Sequence, residues 1–278
     1  MSAARPTATL PKLVPNATWD PHFADRHPAH RVLARAAACF ADASEWPQPA
    51  TWRSALEAGG LAGPLVTRDG FPIVFAWSPP KSRARRKRVL VDVDAIYDER
   101  IFVRGEVPSR ANGWHDLLNM LVWATFPASK LALNARQRTA LRATVTAGAT
   151  RLPGARTREQ DALTMLDEGG LVVLAAARAA EAVTDALDRS DADALAGYVR
   201  DGTARVFAFG HTLHEHLISH AGTVRALALP LVIEEVPEHL DDSIRLADQA
   251  LATALSEGGA LTTPDGVASL PLGDALFG

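Results

Sequence analysis

The chain has 278 residues, of which 47% are hydrophobic, and a formal net charge of −3 at pH 7; these values are ordinary for a soluble globular protein. Its single cysteine, Cys39, excludes an intramolecular disulfide and argues against a thiolate zinc site. The N-terminus has no apolar signal region, and no stretch approaches about eighteen uninterrupted apolar residues. We therefore expect a cytoplasmic protein with no membrane partner.

The first third of the chain predicts an irregular arm over residues 1–25, two helices and two strands. The helices are expected in RVLARAAACFADA, after about His30, and in TWRSALEAG, which ends at Gly59. The strands are expected in PIVFAW, before the Pro79-Pro80 pair, and in VLVDVDAIY, from Val89.

The rest of the chain is predicted to be mainly helical, with helices in WHDLLNMLVWAT, ASKLALNARQRTALRATV and REQDALTMLD, and near 192–200, 204–220 and 241–256. Thr157 and Gln160 have the spacing of a capping box. ALALPLVI is expected to be a strand, and LVVLAAA either a strand or the start of a helix. Helices and strands do not alternate regularly, which favours a single α+β domain over 1–278, predominantly α-helical with a small β-sheet.

Basic residues are concentrated in the middle third, where Lys81 to Arg158 contains sixteen Lys/Arg and six Asp/Glu. This imbalance indicates an anionic small molecule or nucleic acid as a candidate partner. Within it, KSRARRKR offers Arg83, Arg85, Arg86 and Arg88 as candidate nucleic-acid contacts, although a run of this kind is more often a solvated loop. No aromatic residue interleaves the arginines, which weakens the nucleic-acid interpretation.

Polar side chains interrupt the helix predicted over 114–125. Apolar residues surround this helix on almost every side, whereas His115, Asp116 and Asn119 share one sector of about 100°. Buried polar groups need partners, so these three are candidate catalytic residues. The alternative is structural, with Asp116 complementing the helix dipole and His115 and Asn119 forming a satisfied core pair.

The helix that follows the capping box repeats this pattern. Asp161, Thr164 and Glu168 lie on one side of it, and Asp167 lies on the flank. The two carboxylates Asp161 and Glu168 are candidate metal ligands. For this helix, a solvated polar face explains the same spacing.

The stretch HTLHEHLISH, residues 211–220, contains four of the nine histidines. On a straight helix the four histidines point in different directions, so one metal ion cannot bind them all. His211 and Glu215 lie at the edge of the apolar arc and are the candidate ligands, whereas His216 and His220 are expected to face solvent or another element. Ile218 stands where a zincin motif beginning at His214 requires its second histidine.

Three blocks of sequence resemble a known family. YDERIFVRGEVPSRANGWHDLLNMLVWATFPASKLALN, DALTMLDEGG and FGHTLHE are similar, in this order, to blocks of the bacterial family named domain of unknown function 3025. The resemblance covers a core over 97–217 and implies a cytoplasmic bacterial protein without an established activity. It adds four candidate ligand-binding residues, Lys130, Asn134, Thr164 and Asp167, and includes His211 and Glu215 while leaving out His214, His216 and His220.

Two functions follow from these residues. The first is a metal-dependent hydrolase, acting on a phosphoester, in which a divalent metal is bound by His115, Asp161, Glu168, His211 and Glu215, with Asp116 as base or orienting residue. The second is a non-catalytic binding or structural protein in which the same groups form a buried packing network. The basic middle third would attract the substrate in the first case and bind a partner in the second.

Overall fold

The computed structural model describes residues 18–61, 65–78, 96–145, 155–219 and 224–278. The fold is a predominantly helical α+β arrangement with two small sheets. Within the described residues, no helix is both long enough and apolar enough to cross a membrane. The predicted strand from Val89 lies outside the described residues up to position 95, as do Arg83, Arg85, Arg86 and Arg88.

The N-terminal half contains short 3-10 turns, five α-helices and two strands among its described residues. The helices are α1 (Ala34–Ala37), α2 (Pro49–Ala58), α3 (Tyr97–Arg104), α4 (Trp114–Thr125) and α5 (Pro127–Arg142). The strands β1 (Val74–Trp77) and β2 (Glu106–Ser109) pair in parallel.

The C-terminal half contains five further helices and a four-stranded sheet among its described residues. The helices are α6 (Arg158–Gly169), α7 (Ala180–Asp188), α8 (Ala192–Arg200), α9 (His211–Ser219) and α10 (Leu240–Glu257). The strands are β3 (Gly170–Ala176), β4 (Ala204–Ala208), β5 (Arg225–Ile233) and β6 (Ala268–Pro271), in the spatial order β4-β3-β5-β6. β3 is parallel to β5, and the other two pairs are antiparallel.

The larger sheet separates two apolar cores. Val172 and Leu174 of β3 belong to the core that includes α4, α6 and α10, whereas Leu171 and Val173 belong to the core that includes α7 and α8. Every residue of β3 is therefore buried. A strand buried on both faces shows no polar alternation, which explains why its sequence also fits the start of a helix.

Several predicted elements are confirmed. α4 has the predicted bounds, the Thr157/Gln160 capping box is complete, and α2, α5, α6, α8, β1, β5 and α10 lie within a few residues of their predicted positions. The capping box forms because the Thr157 side chain accepts from the Gln160 backbone N–H while the Gln160 side chain accepts from that of Thr157.

Two predictions are wrong, and a third is confirmed only in part. The helix predicted over 204–220 is strand β4 followed by helix α9. The segment after His30 is helical as predicted, but most of it is 3-10 helix around the single turn α1. Tyr97, predicted to end a strand, begins α3. β2, β6 and α7 were not predicted, because the two strands are only four residues long and α7 follows the buried run of β3.

Candidate functional site

The site forms where the first turns of α3, α4 and α9 approach the last turn of α6. Phe209 and Gly210 connect β4 to α9, and the backbone N–H groups of both donate to the Gly170 carbonyl at 2.9 Å. A Cβ atom on Gly210 would lie 2.5 Å from the Glu168 carbonyl oxygen. Glycine is therefore required where the start of α9 meets the end of α6.

His115 is in contact with both His211 and Glu215. Its Nδ1 lies 3.2 Å from Glu215 Oε2, and its Nε2 lies 3.3 Å from His211 Nε2. The two rings meet at 75° with their centroids 4.6 Å apart. The structure thus brings together three of the predicted site residues, one from α4 and two from α9.

The two imidazoles differ in burial and in proton affinity. His211 is buried and its pKa is lowered to about 3, mainly by desolvation, although the charge of Asp167 acts in the opposite direction. Burial also lowers the pKa of His115, but the hydrogen bond with Glu215 and the charges of Asp116 and Glu215 outweigh it, so this pKa is raised. A proton on the pair therefore resides on His115, whose Nδ1–H donates to Glu215.

The second nitrogen of His211 has no hydrogen-bond partner among the described residues, although its Nδ1 is buried. When His115 carries both ring protons, its Nε2–H donates to the Nε2 atom of the neutral His211.

A polar chain, whose Lys130 and Asn119 members are buried, lies next to the histidines. Lys130 is 3% exposed, and its Nζ donates to Asp167 Oδ1 at 2.5 Å and to Asn119 Oδ1 at 2.9 Å. Asn119 in turn donates through Nδ2 to the Tyr97 hydroxyl at 3.1 Å. Burial raises the pKa of Asp167, but Lys130 and His211 outweigh it, so the pKa is lowered and Asp167 stays ionised at neutral pH.

Asp98 is a site residue that the sequence analysis missed. Burial and the charge of Asp167 raise its pKa to about 6. Asn134, a predicted ligand-binding residue, donates to the Asp98 carbonyl at 3.2 Å. Asp98 was not predicted because it follows a segment that was expected to be a strand and not a helix. In addition, a carboxylate in the first turn of a helix is usually explained by its favourable interaction with the helix dipole.

Asp116 is bound to Arg110 and is not in contact with His115. Its carboxylate accepts from the Arg110 backbone N–H at 2.6 Å and from two guanidinium nitrogens at 2.7 and 3.1 Å. Asp116 therefore acts on His115 only through its charge. Arg110 was also missed, because its partner lies six positions further along the chain in a different element.

Asp161, Thr164 and Glu168 do not join the histidine pair. Asp161 and Thr164 line an open depression of about 380 Å³ together with Arg156 and Arg158. Thr164 accepts from Arg156 at 3.2 Å. Glu168 is exposed, and partial desolvation together with the charge of Asp167 raises its pKa. Asp167, placed on the flank of this helix by its periodicity, is the α6 carboxylate that contacts Lys130.

The other two described histidines of α9 are buried. His214 and His216 are at most 1% exposed, so both face other elements, and His220 lies outside the described residues. His214 Nδ1 is 2.9 Å from His30 Nδ1, and its Nε2 is 3.0 Å from the Ala208 carbonyl oxygen. This second imidazole pair attaches the N-terminal segment to the face of α9 that is turned away from His115.

The predicted five-residue metal cluster does not assemble. Among the described residues, no group of three or more His, Cys, Asp or Glu side chains is arranged to hold a metal ion. His115, His211 and Glu215 form a linear chain in which Glu215 binds the outer nitrogen of His115, while Asp161 and Glu168 are exposed on α6.

Comparison with known proteins gives one match. The family described as protein of unknown function (DUF3025) matches residues 86–274, a range that includes every site residue described above. No curated protein and no solved structure matches the chain.

Proposed function

The chain belongs to the DUF3025 family of proteins of unknown function, and we propose that it is a hydrolase whose reactive centre is the His115–His211 pair supported by Glu215. The observation that carries the proposal is the chain of contacts from Glu215 through His115 to His211. In this arrangement a carboxylate sets the orientation and tautomer of an imidazole, as it does in proton-transferring enzymes.

The exposure of His115 supports a catalytic role. Its side chain is 35% exposed, whereas those of Glu215 and Lys130 are 14% and 3% exposed. Water and a substrate can thus reach His115, and a partly buried carboxylate and a buried imidazole hold it in place. A hydrolase needs such a group to accept a proton from water and to return it to the leaving group.

The described residues do not favour a phosphoester over another substrate. Arg110 is paired with Asp116 and Lys130 with Asp167, so these two cations are compensated within the protein. Arg156 donates to the Thr164 hydroxyl. The test therefore includes both carboxylic and phosphoric esters.

The test compares hydrolysis by the wild-type chain and by His115→Gln with a panel of four substrates. These are p-nitrophenyl acetate, p-nitrophenyl butyrate, p-nitrophenyl phosphate and bis(p-nitrophenyl) phosphate. We expect one ester to be hydrolysed and the rate to fall about 100-fold or more in His115→Gln, the range for removal of a general acid–base group. His239→Gln, which alters an exposed histidine, is the matched control. Equal rates for wild type and His115→Gln on a hydrolysed ester would reject the proposal.

The second candidate is a non-catalytic packing network, and the Lys130–Asn119–Tyr97 chain supports it. These groups satisfy one another's hydrogen bonds, as a structural network requires. Such a network predicts that His115→Gln lowers stability and that no member of the panel is hydrolysed. If His115→Gln loses hydrolysis while its stability stays near that of the wild type, the result favours the hydrolase over this candidate.

A further inference from the structure

We propose that Tyr97 is a further catalytic residue of the hydrolase, and that its hydroxyl donates a hydrogen bond to the substrate oxygen that gains negative charge during the reaction. The inference rests on the proposed function, because it assigns a second group to the same site. It also gives the chain of hydrogen bonds from Lys130 through Asn119 to Tyr97 a role beyond packing.

The direction of the hydrogen bonds along this chain is set by Lys130. Its ammonium group can only donate, so the side-chain atom of Asn119 that lies 2.9 Å from Nζ must be the oxygen. The amide nitrogen of Asn119 then faces the Tyr97 hydroxyl and donates to it at 3.1 Å. The hydroxyl oxygen of Tyr97 is therefore an acceptor within the chain, and its own proton is directed away from Asn119.

The chain of hydrogen bonds is open at Tyr97. Among the described residues, the Tyr97 hydroxyl has no hydrogen-bond partner other than Asn119. Tyr97 is 39% exposed, whereas Asn119 and Lys130 are 6% and 3% exposed. A network that serves packing alone needs every member satisfied within the protein. This network ends instead at an exposed residue, whose hydroxyl proton is left for water or for a bound molecule.

Tyr97 and His115 lie at the same face of α4. Asn119, which holds the Tyr97 hydroxyl, follows His115 by four positions in this helix. Side chains four positions apart on a helix are neighbours, with about 5–6 Å between their Cβ atoms. The charge of Asp167 acts on both the Tyr97 hydroxyl and His115, so the two groups share one electrostatic environment. A small substrate at the exposed edge of His115 can therefore contact both.

The surroundings of Tyr97 keep its hydroxyl protonated. Partial desolvation and the charge of Asp167 raise the pKa of Tyr97, and they outweigh the hydrogen bond from Asn119, which acts in the opposite direction. A hydroxyl that stays protonated at every working pH can donate a hydrogen bond but cannot act as a base. Tyr97 therefore complements His115, which is the group that exchanges a proton.

The two residues divide the chemistry of ester hydrolysis between them. His115 takes a proton from water while the water oxygen bonds to the acyl carbon or phosphorus, and a non-leaving oxygen of the ester gains negative charge. Tyr97 donates to this oxygen through its O–H and keeps the proton. The bond to the leaving oxygen then breaks, and the leaving oxygen takes the proton from His115. The positive charge of Lys130 at the buried end of the chain polarises the amide and the hydroxyl in the direction that strengthens this donation.

The first test measures kcat and KM of Tyr97→Phe on the p-nitrophenyl ester that the wild-type chain hydrolyses. We expect kcat to fall about 100-fold or more, which is the range for loss of one such donor, while KM stays close to the wild-type value. Tyr198→Phe changes the other tyrosine of the chain, on α8, and is the matched control. Phenylalanine keeps the ring of Tyr97, so the variant is expected to fold, and circular dichroism verifies this.

The second test does not depend on activity. It measures the binding of p-nitrobenzylphosphonate, a non-hydrolysable tetrahedral anion, to the full chain by isothermal titration calorimetry at pH 6. The hydroxyl of Tyr97 is protonated at this pH, and the raised pKa of His115 keeps its imidazole protonated as well. We expect one molecule bound per chain, binding at least about 10-fold weaker in Tyr97→Phe, and unchanged binding in Tyr198→Phe.

The two tests separate this inference from the proposed function. Equal kcat and equal phosphonate affinity in the wild type and Tyr97→Phe would overturn the inference, and hydrolysis that still depends on His115 would leave the hydrolase standing. Phosphonate binding that depends on Tyr97, in a chain that hydrolyses none of the esters, would reject the hydrolase and keep Tyr97 as an anion-binding group. If the wild type neither hydrolyses an ester nor binds the phosphonate, both proposals are rejected.

Discussion

His115 and His211 are 96 positions apart in the chain, and their Nε2 atoms lie 3.3 Å from each other. The contact joins the first turn of α4 to the first residue of α9. The pKa values of the two rings are displaced in opposite directions. Glu215 favours the protonated form of His115, whereas burial keeps His211 neutral. Pairs of titratable groups whose pKa values are displaced in opposite directions are typical of sites that transfer protons.

Glu215→Gln is expected to lower the pKa of His115, because it removes the carboxylate charge and the acceptor of the Nδ1 proton. The raised pKa of His115 contributes stability that is fully present below the unfolded value of about 6.5 and is lost as the pH rises through the folded value. Glu215→Gln should remove this contribution. NMR titration of ¹⁵N-labelled histidine measures the pKa, and Glu159→Gln, on the ion pair with Arg136, is the control.

Lys130→Met is expected to lower the free energy of unfolding by about 3–5 kcal/mol, because it leaves the Asp167 carboxylate buried without its cation. The double variant Lys130→Met/Asp167→Asn should lose less than the sum of the two single changes. Urea denaturation measures all three. Arg178→Ala breaks an ion pair whose partners are both more than half exposed, and it should cost at most about 0.5–1 kcal/mol. If the double variant lost as much stability as the two single variants together, an interaction between Lys130 and Asp167 would be contradicted.

Gly210→Ala is expected to destabilise the protein by about 1–3 kcal/mol, because the new Cβ atom meets the backbone of Glu168, which cannot rotate away. The change should also move His211 away from His115. In contrast, Gly197→Ala lies in the middle of α8 with no atom closer than 3.9 Å, and it should stabilise the helix by about 0.5–1 kcal/mol. If Gly210 approaches the Glu168 backbone this closely, thermal unfolding should give a lower melting temperature for Gly210→Ala and a higher one for Gly197→Ala.

Asp98→Asn is expected to stabilise the protein above about pH 6. The pKa of Asp98 is raised to about 6 by burial and by Asp167, so the ionised carboxyl opposes folding at neutral pH. Because the folded pKa exceeds the unfolded one, the cost grows as the pH rises from about 3.9 to 6 and then stays constant. Melting temperatures at pH 4 and pH 8 test this, and a larger gain at pH 4 would be the opposite of the expected result.

The His30–His214 pair is expected to make the protein sensitive to acid. His214 Nε2 faces the Ala208 carbonyl and must carry a proton, so its Nδ1 accepts from His30. Burial lowers the pKa of His214 to about 4 and that of His30 to about 2. Below about pH 6.5 the unfolded chain takes up protons that the folded pair does not, so stability falls as the pH drops.

The double variant His30→Leu/His214→Leu removes these two groups and should show a smaller loss of stability between pH 7 and pH 5 than the wild type. Chemical denaturation at the two pH values gives the comparison. His214→Ala alone should cost about 1–3 kcal/mol at pH 7, because it leaves His30 buried without its partner. An unchanged pH dependence in the double variant would show that other groups cause the acid sensitivity.

Local patterns in the sequence were sufficient for most helices and for the polar face of α4. Helical periodicity and capping depend on residues a few positions apart, so the bounds of α4 and the Thr157/Gln160 box follow from the chain alone. The same periodicity separates His211 and Glu215 from the rest of their stretch, and both lie at the site. It failed at β4, where a short buried strand leads directly into α9.

The partners of these residues depend on contacts between elements that are distant in the chain. Asp161 and Glu168 share one face of α6 and Asp167 lies on the flank, yet only the packing of α6 against α5 and α9 makes Asp167 the residue that meets Lys130. A solvated face and a site-facing flank are both polar, so composition cannot distinguish them. The meeting of His115 with His211 likewise requires the close approach at Gly210, because hydrogen-bond distances across elements are set by packing and not by periodicity.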